Sequence, residues 1–121
     1  MNMPWPHRDN PVVEARYELV AGFNDKGEPV CRGGVDDDPE RMRGVTETLE
    51  SLKPVPASVT SVTMGHVTLV LRSGEELTLR PVFRISAEAY GDLFKIREYD
   101  LPMPDGLADL LNDWRKELKE P

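Results

Sequence analysis

The side chains in this sequence that could bind or react converge on one arrangement. His66, Arg80 and Arg84 recur at even positions of two apolar-alternating stretches, with Val82 between the arginines. Arginine forks suit carboxylates and phosphates, and His changes charge near neutral pH. If the stretch from Asp92 to Tyr99 runs beside them, Lys95, Arg97 and Tyr99 extend the set into a basic and aromatic surface. The competing reading is an ordinary solvated sheet face, on which Glu76 and Glu98 offset the charge.

Other chemistry is sparse. The chain has neither a G-x-S-x-G turn nor a G-x-x-x-x-G-K phosphate loop. Cys31, His7 and His66 are too far apart in sequence for zinc-finger spacing, so no metal and no cofactor is expected. The run Asp36-Asp37-Asp38 does not alternate its carboxylates as a calcium loop does, and it enters Pro39. It reads as a helix start, capped either by Asp38 ahead of Pro39 or by Asp37 in a capping box with Glu40. Cys31 stands alone, which excludes an intrachain disulfide and fits a small packed side chain better than a nucleophile. An acid–base pair of His66 or Tyr99 with Glu76 or Glu98 would need a pocket on the sheet.

The elements that must position these residues follow from periodicity. Val13, Ala15, Tyr17, Leu19, Ala21 and Phe23 share one parity, which predicts a strand, and Asn24 to Gly27 reads as its turn. Glu28 to Arg32 would return as a short edge strand, broken by Gly33 and Gly34. Met42, Val45, Leu49 and Leu52 mark a helix over 36–52. Strands are expected at Val59–Met64 and in a hairpin around Arg72-Ser73-Gly74. Only a three-residue loop sets Leu69 opposite Leu77 and Val67 opposite Leu79, with Gly74 left-handed and His66 opposite Arg80. Ser86 to Gly91 reads as a helical turn or loop, Asp92 to Tyr99 as a further strand, and Leu101 to Pro104 as a connector. Leu107, Leu110, Leu111, Trp114 and Leu118 predict a last helix from Asp105 to Lys119.

Strands and helices in this order predict an α+β fold: a single antiparallel β-sheet with two helices packed on one face. Residues 1–11, with three prolines, form an irregular N-terminal arm on which Trp5 either docks or hangs free, and 12–121 form one domain. A net charge of −7 argues against nucleic acid and against an anionic membrane surface, and no stretch is long and apolar enough to cross a bilayer. The first residues lack the pattern of a signal peptide, so the cytoplasm is the expected compartment. The function expected is a non-catalytic binding or regulatory module whose exposed sheet face, through His66, Arg80, Arg84, Lys95, Arg97 and Tyr99, takes a protein partner or a small anion. The alternatives are a small enzyme or carrier with a sheet-lined pocket, and an accessory subunit or homodimer paired through a sheet edge. The oligomeric state is not fixed by the sequence.

Overall fold

The computed structural model describes residues 4–52, 55–56, 63–97 and 99–119. Its strands are β1 (Val12–Phe23), β2 (Pro29–Asp36), β3 (Val55–Pro56), β4 (His66–Leu71), β5 (Glu76–Arg84), β6 (Ala89–Ile96) and β7 (Tyr99–Pro102). Helix α1 (Pro39–Glu50) follows β2, and α2 (Asp105–Lys119) ends the chain. All strands lie in one antiparallel sheet of order β2-β1-β4-β5-β6-β7-β3, with β3 a two-residue pairing on β7. Both helices pack on the same side and against each other. The α+β architecture read from periodicity is therefore the architecture observed.

The core lies between the sheet and the helices. Ala15, Leu69 and Leu77 form one cross-strand row and Tyr17, Val67 and Leu79 the next, all buried. The β4–β5 register is the one the leucine pattern selects, and Gly74 takes φ +94°, which only glycine adopts without strain. From the helix side come Met42, Val45 and Leu49 of α1 and Leu107, Leu111 and Trp114 of α2. Asp38 caps α1 by accepting the Arg41 N–H at 2.9 Å, and Pro39 occupies its first turn. Trp5 docks: its indole Nε1 donates to Leu49 O at 2.9 Å, and the arm is held further where Asn10 Oδ1 accepts the Ser73 N–H.

Four features depart from the sequence reading. Val13 is 43% exposed, because a bulge between Val12 and Glu14 hands the buried position to Val12. Gly33 and Gly34 do not break the chain but continue β2 to Asp36. At Gly34 the missing side chain is the point: a Cβ would lie 2.6 Å from the Tyr17 hydroxyl. The stretch from Asp92 to Tyr99 is not one strand but the β6–β7 hairpin, which turns at Arg97 with φ +53°. Leu101 and Pro102 belong to β7 rather than to a connector. Of the strand expected at Val59–Met64, residues 59–62 fall outside the described residues, and Thr63 forms a lone bridge with Val82.

Candidate functional site

With both helices on one side, nothing among the described residues covers the centre of the sheet's other side. Side chains alternate across a strand, so Glu14, Arg16 and Glu18 of β1 point away from the core. The pairings carry these positions across the sheet. Glu18 lies opposite His66. One step beyond the Val67–Leu79 pair, the register brings His66 to Arg80. Arg80 lies opposite Lys95, and Lys95 opposite Asp100. A neighbouring row runs Val35, Arg16, Thr68 and Thr78, with the two threonine hydroxyls 3.2 Å apart.

Not all six residues expected on this surface stay available to a ligand. His66 and Arg80 are exposed side by side. Arg80 Nη2 donates to Arg97 O at 2.9 Å, which brings the exposed Arg97 turn to the same end of the face. Lys95 is instead locked: its Nζ is 2.7 Å from Asp100 Oδ1, and the two side chains are only 14% and 10% exposed. Arg84 is paired with Asp92 at 3.2 Å, both groups being well solvated. Tyr99 does not belong to the face. It lies opposite Ile96, and directly opposed residues share a side, so it packs against the core. The hairpin turn at Arg97 causes this, since it resets the alternation that a continuous strand would have kept.

Sequence reasoning missed the neutralising partners. Glu76 sits in another row, opposite Val70, and Glu98 is outside the described residues. Asp92 and Asp100 do the pairing instead, and Glu18 is the acid beside His66. The even-position polar residues of β1 were the available signal for Glu18, but only once β1 and β4 are known to be neighbours.

A concavity of ligand size lies off the sheet. It is a groove of about 680 Å³ between the end of the arm and α1. Pro11, Val12, Val13 and Met42 supply apolar lining, and Arg8, Asp37, Arg43, Glu47 and Glu50 supply charge. Thr46 at its base is fully engaged: its Oγ1 accepts the Val12 N–H and donates to Met42 O, each at 2.9 Å. A proline-rich arm leading into the bulge at Val13 is a weak signal for such a groove, and neither His66 nor Tyr99 lines it.

The remaining reactive groups have structural duties. Burial, and secondarily Glu18, push the Cys31 thiol above its ordinary pKa, which disfavours the thiolate a nucleophile needs. Asp36 Oδ1 accepts the Asp38 N–H at 2.9 Å, while its Oδ2 accepts Arg41 Nη1 at 3.0 Å and Trp114 Nε1 at 2.7 Å. Among the described residues no group of three or more His, Cys, Asp or Glu side chains could hold a metal ion. Among the described residues no helix is long and apolar enough to cross a membrane. Comparison with protein-family models, with curated proteins and with solved structures finds no match to this chain.

Proposed function

We propose that the protein is a non-catalytic binding module that presents the open side of its sheet to a carboxylate-bearing partner. The observation that carries this reading is the exposed juxtaposition of His66 and Arg80, with the Arg97 turn hydrogen-bonded to Arg80. His66 and Arg80 thus present two donors at one end of the surface, in a chain whose net charge is −7. Arg80 can fork to a carboxylate, and His66 adds a second ring N–H donor beside it. The buried Lys95–Asp100 pair stiffens the platform, while the Arg84–Asp92 pair lies in solvent at its side. The raised pKa of Cys31 supports a non-catalytic role.

The test is a titration of the isotope-labelled protein with a polyglutamate peptide, followed by amide chemical shifts. Shifts confined to His66, Arg80, Arg97 and their strand neighbours, lost in His66→Ala/Arg80→Ala at unchanged melting temperature, are the expected result. Shifts elsewhere, or none at millimolar peptide, remove the sheet face as the recognition surface.

One observation favours a second reading, a carrier of an apolar small molecule: the arm–α1 groove has the volume of a small-ligand site. Val13→Asp would then abolish binding of an apolar fluorescent probe, whereas the sheet-face variant would leave it intact.

A further inference from the structure

The sheet's two edges are finished differently. Beyond β7 lies β3, which pairs Val55 with Asp100 and Pro56 with Tyr99. At the other end β2 is the last strand, and among the described residues nothing pairs with its outer side. Which of its backbone groups face out follows from β1. Tyr17 O lies against Gly33, on the β2 side, and Glu18 O lies against Gly65, on the β4 side. Odd residues of β1 therefore bond to β2 and even ones to β4. Tyr17 pairs with Gly34 and Leu19 with Arg32, so Gly34 and Arg32 turn their N–H and C=O groups inward. Those of Cys31, Gly33 and Val35 point outward.

Apart from Pro29 at its start, this edge lacks the guards that isolated edges carry. Between Val30 and Val35 there is no lysine and no proline. The only charge there, Arg32, has its side chain drawn to the helix side, with Nη1 3.4 Å from Leu118 O. Val35 is 61% exposed and Val30 37%.

We infer that β2 pairs antiparallel with β2 of a second copy of this chain, about a two-fold axis at Gly33. The strand is complementary to itself in that register. Gly33 meets the partner's Gly33, and Cys31 meets the partner's Val35, so the outward backbone groups satisfy one another. On the open side the exposed valine is covered by a half-buried thiol. On the helix side Arg32 faces the partner's Gly34, where no side chain intervenes, and its diagonal neighbours are the partner's Asp36 and the partner's Arg32. An axis at Arg32 would instead oppose two guanidinium groups, which like-charge repulsion disfavours.

Sedimentation equilibrium at about 100 μM, the strength at which a small interface is occupied, tests this. The expected result is a dimer that Val35→Lys weakens at least about tenfold without lowering the melting temperature of the monomer. Under mild oxidation Val35→Cys should give a covalent dimer through the partner's Cys31, and adding Cys31→Ser should abolish it. A monomer at that concentration overturns the inference. So does a dimer that is indifferent to Val35→Lys and forms no such disulfide.

Discussion

The Trp114 indole donates a 2.7 Å hydrogen bond to the Asp36 carboxylate, tying the last helix to the residue where β2 gives way to α1. The same carboxylate holds Arg41 and the Asp38 N–H, and the indole ring lies 4.5 Å from the Tyr17 ring at an interplanar angle of 7°. One buried acid therefore fixes the end of a strand, the cap of one helix and the middle of another. An uncompensated charge there would be costly, and three donors are what make it tolerable.

Asp36→Ala is expected to cost about 3 kcal/mol in chemical denaturation, because it strands the Trp114 donor in the core and leaves Arg41 without its acid. Asp36→Asn should cost about 1–2 kcal/mol, since the amide oxygen can still accept one of the bonds. Burial pushes the Asp36 pKa up, but the bonds from Asp38, Trp114 and Arg41 outweigh it and hold the group below the usual carboxylate range. A depressed folded pKa means that this contribution is present above the unfolded value and is lost as pH falls through the folded one. The wild type should therefore lose more stability than Asp36→Asn on acidification below about pH 4, the ordinary aspartate value. Equal pH slopes for the two proteins would refute the role.

Gly34→Ala tests the other side of the same cluster. The added methyl would meet the Tyr17 hydroxyl and ring, which are pinned by the stacked Trp114. A loss of about 1–3 kcal/mol is expected, as for overpacking of a core. It should come with a changed near-ultraviolet dichroism band from the displaced aromatic pair. Gly44→Ala, where a Cβ meets nothing within 4 Å, should stabilise by comparison.

These two sites show what the sequence could and could not disclose. Strand β1, the β4–β5 hairpin and α2 were legible because each has one buried side, and a one-residue slip would drown its apolar set. The Asp38 cap was legible because capping is a local matter of a few residues. Gly34 was not, because its reason is a ring on the neighbouring strand and a helix far along the chain. The same holds for the surface: His66 and Arg80 came out adjacent because their register is set within one hairpin. Tyr99 came out misplaced because Arg97 turns the chain without the glycine or asparagine that usually marks a two-residue loop. Lys95 and Arg84 were recognised as cations, but their partners Asp100 and Asp92 depend on that same turn and on a bulge in β6.

Tyr90→Phe should destabilise the protein although it deletes one oxygen. The hydroxyl accepts the Val20 N–H at 3.0 Å and donates to Met64 O at 2.8 Å, beyond the reach of the β1–β4 pairing. Removing it leaves both backbone groups unsatisfied, for about 2 kcal/mol. Burial drives the phenol's pKa up to about 12, against the Val20 bond, which lowers it. Because the folded value is raised, stability should be intact below the unfolded value near 10 and fall as pH climbs from there towards 12. Tyr90→Phe should lack that alkaline loss, which urea midpoints measured between pH 9 and 11.5 would reveal.

Arg115 should respond to substitution as a packing residue rather than as an ion-pair partner. It is 6% exposed, its Nη1 donates to Glu88 O at 2.9 Å, and its guanidinium carbon lies 5.0 Å from the Phe83 ring centroid. Its Nε is buried with no acceptor, and no carboxylate pairs with it among the described residues. The cation–π contact and the single carbonyl bond thus oppose the desolvation of a charge and of an orphan N–H. Arg115→Met keeps the stem and the contact with Phe83 while removing the charge, so its stability should lie within about 1 kcal/mol of wild type or above it. Arg115→Ala also removes the volume and should lose about 2–4 kcal/mol. If methionine proved as damaging as alanine, the guanidinium charge itself would have to be holding the turn at Glu88 against α2.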